Sequence, residues 1–419
     1  EIQSVADADV DVTVARDTSV STTTGAGDDL TINGGTAYDI TLTASTATED
    51  LVVTGLDNTL TANSILGNAT VTSAGDLSLT ATAAKGNVTI TSGDDTTTVN
   101  TPAAAGTVTI NSAGSIAATT LTAATTIVLN NTGGTAATDD VVLTNGTAAT
   151  SVTMTSVGAI TATAANLAAA ASITATAAED SAITSDGVSN QVVNLNADSS
   201  GITNTPEITY TLAASTIETL NLGGVTAIEV SIDQADISTE TVTSTNTAGS
   251  ALLFSSAAND ADTTAVAAGI DMRLGADMNG QTFTVDNDNK FVLLDSVAQT
   301  ATPTFDHTTE ATTTTTNSLT VATYNDDAAT GDETATIAGM AFTDINNLTI
   351  AMGGTGTDKV GIDSSADITG ADLQTVTVTG EGAFDLNGNT ITGNATSTTS
   401  NVTLDATGVS GIVTMALDG

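Results

Sequence analysis

The chain has 419 residues, with 5 basic against 48 acidic side chains and a formal net charge of −43. That balance excludes a nucleic-acid partner held through phosphates, which needs Lys/Arg patches to displace counterions, and it excludes a polybasic lipid anchor. Cysteine is absent and His307 is the single histidine, so disulfides, thiol chemistry and Cys- or His-built metal clusters are excluded as well.

The length exceeds one ordinary core and fits two or three domains or one extended repeat array. High net charge raises disorder as an alternative. The 40% hydrophobic content argues against it, because the apolar residues alternate with Thr, Ser and Asn as packed strands do. In chain order the strand signals are Leu30-Thr31-Ile32, Ile40-Thr41-Leu42, Leu77-Ser78-Leu79, Val88-Thr89-Ile90, Val108-Thr109-Ile110, Ile127-Val128-Leu129 and Val376-Thr377-Val378. Each sets a branched apolar residue beside Thr, so one face can be buried. Glycine, of which there are 37 against 3 Pro, punctuates them. Long runs with helical spacing are not found, and no apolar run reaches the length of a membrane span. The residues carry no signal-peptide pattern, and a chain beginning at Glu1 reads as a processed product or a fragment.

A phrase close to Val-Thr-x-x-Ser-x-Gly recurs between 69 and 172. It stands at Val71 to Gly75, Val88 to Gly93, Val108 to Gly114 and Val152 to Gly158. A period near 20 holds a few short strands and their turns, which suits one coil of a parallel β-solenoid whose apolar face is buried only by stacking. With 2% aromatics and no Trp, the interior must be filled by small aliphatic residues, as a narrow solenoid allows. The expected class is therefore all-β with a parallel β-solenoid architecture, and a string of β-sandwich domains is the alternative. Further on, Ile217-Glu218-Thr219-Leu220-Asn221-Leu222-Gly223-Gly224 is answered by Ile345-Asn346-Asn347-Leu348-Thr349-Ile350 and then Gly353-Gly354, the two glycine pairs standing 130 positions apart. The expected division is a solenoid-like region over 1–205, a first copy of a duplicated module with a Thr/Asp-rich loop over 206–335, and the second copy over 336–419.

The sharpest chemical motif is Gly353-Gly354-Thr355-Gly356-Thr357-Asp358-Lys359-Val360-Gly361. It fits a calcium nonapeptide in which Gly354 and Gly356 let carbonyls face a cation and Asp358 supplies a hard oxygen, with Asp363 close behind. Looser relatives place Asp28 and Asp29 after Gly27, and Asp94 and Asp95 after Gly93. Adjacent carboxylates repel unless solvated or bridged by a cation, so Ca2+ is the expected cofactor, with solvated turns as the plain alternative at each locus. Catalysis would have to rest on carboxylates, or on His307 beside Asp306. Nucleophile elbows and phosphate loops are missing, and an enzyme is not expected.

The Thr/Ala/Asn-rich coils from 69 to 172, the Ile217 phrase and the nonapeptide together resemble the repetitive regions of secreted bacterial surface proteins, above all S-layer proteins of the RTX class and related repeat adhesins. The likeness spans most of the chain, mainly through composition, and departs from the family in showing one good nonapeptide where blocks are usual. It implies export to the cell surface, calcium-dependent folding, and assembly with copies of itself into a lattice, with cell-surface polysaccharide as a further partner. The expectation is a structural, self-assembling subunit of an S-layer, sheath or fibre. A stalk or binding region of an adhesin is the alternative, which would need a face with clustered aromatics or a shaped pocket; Phe283 and Phe291 are the nearest pair.

Overall fold

The computed structural model describes residues 9–22, 28–81, 83–100, 106–122, 124–133, 139–162, 167, 169–185, 191–198, 207–212, 217–232, 241–254, 265–267, 269–278, 280–287, 289–309, 311, 316–325, 333–353, 359–393 and 403–414. Among them there is no helix, and every strand pair is parallel, as in a β-solenoid. This decides against the sandwich alternative, whose strands pair antiparallel. By contacts the chain divides into two compact units, Glu1–Ser215 with Gly223–Ile228, and Thr216–Leu222 with Glu229–Gly419.

In the first unit each coil contributes one strand to each of two sheets. The first sheet stacks Val10–Thr13, Leu30–Asn33, Leu51–Gly55, Ala69–Ser73, Val88–Ser92, Thr107–Ser112, Thr126–Asn131, Ser151–Thr155, Ser172–Ala177 and Gln191–Ala197. The second stacks Thr18–Thr22, Ile40–Thr48, Asn58–Ile65, Leu77–Ala81, Thr96–Asn100, Ile116–Thr120, Val141–Leu143, Ile160–Ala162, Ser181–Ser185 and Glu207–Leu212. A coil's length varies with its turns: Leu51 lies beside Ala69, 18 residues on, while Ser181 lies beside Ile208, 27 residues on.

Alternation does the sorting. In Val88–Ser92 the burial runs buried, exposed, buried, exposed, buried, because successive side chains of a strand point to opposite faces. Like positions then stack from coil to coil: Val53, Val71, Ile90, Ile110, Leu129, Met154, Ala175 and Leu195 form one continuous buried column. Burying each of the larger aliphatics contributes about 1.5–3 kcal/mol, and none of it is available to a single coil. The serine of the repeated phrase ends this inward series. Ser73, Ser92 and Ser112 are buried, and their hydroxyls donate to turn carbonyls: Ser73 Oγ to Leu56 O at 2.6 Å, Ser92 Oγ to Gly75 O at 2.7 Å, and Ser112 Oγ to Asp94 O at 2.6 Å.

The second unit has wider coils. One sheet stacks Ser250–Phe254, Ile270–Leu274, Lys290–Leu294, Ser318–Tyr324, Asn347–Met352, Thr375–Gly380 and Thr403–Val409. A second runs from Thr282–Val285 through Thr304–His307, Met340–Thr343 and Ile368–Gly370 to Ile391–Thr392. A third runs from Glu333–Ile337 through Val360–Ser364 and Phe384–Asp385 to Val413–Thr414. Three strands per turn lengthen the step to 28 residues between Asn347 and Thr375. A wider core needs larger side chains, and all six phenylalanines of the chain are buried here. Phe254, Phe283, Phe291, Phe305 and Phe342 form a contiguous stack, with Phe291 and Phe305 centroids 4.4 Å apart and Phe305 and Phe342 at 5.3 Å. Phe283 and Phe291, 4.9 Å apart, therefore belong to the core and present no aromatic binding face.

Candidate functional site

One arrangement recurs in the turns of the first unit. At many strand entries an Asp or Asn side-chain oxygen accepts the backbone N–H of the equivalent residue one coil on. At the corner leading into the second sheet, Asp39 N–H donates to Asp17 Oδ1 at 3.1 Å, Asp57 N–H to Asp39 Oδ1 at 3.3 Å, and Asp76 N–H to Asp57 Oδ1 at 2.9 Å. Further along, Ser115 N–H donates to Asp95 Oδ1 at 2.8 Å and Ala159 N–H to Asp140 Oδ1 at 2.9 Å. At the corner leading into the first sheet, Asp29 N–H donates to Asp9 Oδ1 at 3.1 Å, Asp50 N–H to Asp29 Oδ1 at 3.1 Å, Asn87 N–H to Asn68 Oδ1 at 3.0 Å and Thr107 N–H to Asn87 Oδ1 at 2.8 Å. Each bond satisfies a turn N–H that would otherwise lack a partner in the ladder, and charge assistance strengthens those made to Asp.

Stacking caps also stacks charges. Carboxylate oxygens of Asp76, Asp94 and Asp95 all lie within 4.8 Å of one another; Asp76 and Asp94 are exposed and Asp95 half-buried. Burial pushes the Asp76 carboxyl above its ordinary value, the charges of Asp94 and Asp57 add to the rise, and the Asp95 backbone N–H opposes it. Asp139, two coils beyond Asp94 and Asp95, is raised by burial and then by Asp95, Asp94 and Asp140. The donor set is hard oxygen alone, which fits Ca2+ or Mg2+ and not the metals that seek thiolate or imidazole. Calcium takes six to eight oxygens, so three carboxylates fit it only with water completing the shell.

Of the residues singled out in the sequence, Asp94 and Asp95 are brought together with Asp76 at this corner. Asp28 and Asp29 lie at the opposite corner, where Asp29 Oδ1 caps Asp50 and the Asp28 carbonyl accepts Glu49 N–H at 2.9 Å. Gly354, Gly356 and Asp358 lie outside the described residues. Asp363 is half-buried in Val360–Ser364, in register with Asp385 on the next coil, and its Oδ1 accepts from Asn387 Nδ2. Reading the sequence missed Asp57, Asp76, Asp139 and Asp140. The signal available for them was an Asp placed directly before each strand at the coil period.

The other chemical candidates separate in space. Asp306 and His307 are neighbours in one strand and so face opposite ways: His307 is buried, with Nδ1 accepting Thr309 N–H at 3.0 Å, while Asp306 is half-buried on the other face. A cleft of about 260 Å³ is lined, among the described residues, by Asp295, Ser296, Glu333 and Thr334, none of them aromatic. No protein-family model, curated protein or solved structure matches the chain.

Proposed function

We propose that this chain is a structural, self-assembling subunit of an extracellular layer or sheath, of the S-layer kind, whose folding or association is assisted by Ca2+ at the acidic corner of the first unit. The observation that carries the reading is the unbroken run of capping carboxylates Asp17, Asp39, Asp57, Asp76 and Asp95, at whose end Asp76 and Asp95 meet Asp94 within 4.8 Å. A run of like charges at strand spacing is self-repelling, and a divalent cation relieves it. The repeat architecture supports the same reading: a solenoid supplies long, regular side faces suited to contacts between copies. The adhesin alternative loses its one specific support, because the paired phenylalanines are core residues.

The test is electron microscopy of the purified protein in millimolar calcium and after chelation. Ordered sheets or fibres that dissolve on chelation are expected. Dispersed particles in both conditions would overturn the proposal.

A further inference from the structure

We infer that two copies of this chain pair through the outward face of the first sheet of the first unit, an inference that rests on the assembly reading above. A molecule with a net charge of −43 repels its own copies wherever acids lie, so contact must run where they are missing. On this face they are missing over nine successive coils. One outward rank, in register, runs Thr31, Val52, Thr70, Thr89, Thr109, Val128, Thr153, Thr174 and Asn194. The second runs Asn33, Thr54, Thr72, Thr91, Asn111, Asn130, Thr155, Thr176 and Asn196. Within these nine coils neither rank holds a charged residue; the first rank meets an acid only at the terminal strand of the sheet, where exposed Asp11 lies beside Thr31.

Regularity separates this face from the one behind it. No pairing in the first sheet shows a register shift. The second sheet is broken by shifts between Ala44 and Ala47 and between Thr96 and Thr98. The outward side chains of the first sheet also order one another. Asn130 Nδ2 donates to Asn111 Oδ1 at 3.0 Å, Asn194 Nδ2 to Thr174 Oγ1 at 3.2 Å, and Asn196 Nδ2 to Thr176 Oγ1 at 3.2 Å. Side chains already held lose less entropy on pairing. Val52, 39% exposed, adds apolar surface.

The area suffices. Nine strands at about 4.8 Å spacing, each of about five residues, present roughly 700 Å², close to the share of about 800 Å² that one partner contributes to a standard stable interface. A two-fold axis through the face sets the same ranks against each other, and stacked Asn and Thr rows are suited to interdigitate. A second copy fits better than polysaccharide, because sugar faces use aromatic platforms and neither outward rank of this face holds an aromatic residue.

The test uses two triple variants of the full chain, T72E/T91E/T155E and T72K/T91K/T155K, followed by sedimentation velocity in calcium. Each alone should lose the faster-sedimenting paired species, and mixing the two should restore it, a rescue that a folding defect would not give. The equally charged T43E/T61E/T80E variant, on the second sheet, should pair as the wild type does. Triple variants that each pair like the wild type would overturn this face while leaving assembly intact, and so would failure of the mixture to pair. Wild-type pairing that requires added cell-wall polysaccharide would also overturn it. A wild type that stays single under all conditions would remove the assembly reading itself.

Discussion

Replacing Asp76 by Asn isolates charge from hydrogen bonding at the acidic corner. The swap keeps a side-chain oxygen able to cap the next coil; the molecule itself uses Asn this way at the opposite corner, where Asn68 caps Asn87. It removes one of three carboxylates lying within 4.8 Å of one another. Two unit charges at that separation in water repel by about 1 kcal/mol, so losing both pairs relieves about 1–2 kcal/mol at low salt. Weakening the charge-assisted bond from Asp95 N–H returns roughly 0.5–1 kcal/mol of that. The net expectation is a variant about 0.5–1 kcal/mol more stable than the wild type in chelator, a gain of about 1–3 °C in Tm for a unit of this size. Screening should erase the gain by about 1 M salt, where the Debye length is near 3 Å. Calcium should stabilise the wild type and do little for the variant, since binding raises stability only through the site it occupies. Thermal unfolding followed by circular dichroism, at low and high salt and with calcium or EDTA, reads all of these. A variant less stable than the wild type at low salt in EDTA, or one that gains as much from calcium, would refute the reasoning.

Other outcomes follow from different parts of the fold. Phe305 touches Phe283, Phe291 and Phe342, so Phe305→Ala should cost about 3–5 kcal/mol through the cavity it leaves; denaturant unfolding should show a loss of that size, and a loss below 1 kcal/mol would mean the stack is not the core. A Cβ on Gly93 would stand 2.1 Å from the Ala74 carbonyl oxygen of the preceding coil, so Gly93→Ala should destabilise by about 1–3 kcal/mol by forcing two coils apart, measurable as a drop in Tm. Asp76 and Asp139 have raised carboxyl values in the fold, so the folded chain holds those protons more tightly than the unfolded one. Their contribution to stability is therefore greatest at low pH and is lost as pH rises through the raised values. In EDTA, acidification from neutrality to about pH 5 should hold or raise Tm, and a steady fall across that range would contradict the crowding of the corner.

The coil itself was legible. Val88-Thr89-Ile90-Thr91-Ser92 announces its own burial pattern, because a period of two leaves no choice of face, and the recurring Ser-x-Gly marks where the strand must turn. Small aliphatics foretold a narrow core in the first unit, and the six phenylalanines gathered where the coils widen to three strands. What could not be read was which acids meet. Asp94 and Asp95 stand out as neighbours in sequence, yet their third partner, Asp76, lies on the preceding coil, and only the register Thr96 to Leu77 brings it near. Asp28 and Asp29 form the same dipeptide but precede a strand of the other sheet, so they join a different column. A local motif cannot carry that distinction, because the corner a residue occupies depends on counting strands from one sheet to the next.

The predominance of Asp over Glu has a mechanical cause in this geometry. A cap must reach the backbone N–H one strand spacing away, about 4.8 Å, and the short Asp or Asn side chain spans that gap with little rotamer entropy to lose. A longer Glu would overshoot it. Much of the net charge of −43 is thus a by-product of how coils are joined rather than a solubilising coat. Every charged cap adds repulsion with its neighbours above and below, so a column of Asp grows less favourable with each coil unless something interrupts it. The first-sheet corner is interrupted early, by Asn68 and Asn87 after Asp50. The second-sheet corner runs through five Asp before reaching Ser115, and it then alternates Asp140 with Ala159. The end of that longest run is where Asp94 and Asp139 add further charge and where the carboxyl values rise. Among the described turns, a cation at any other would relieve less repulsion, which is the physical reason for proposing calcium at this corner.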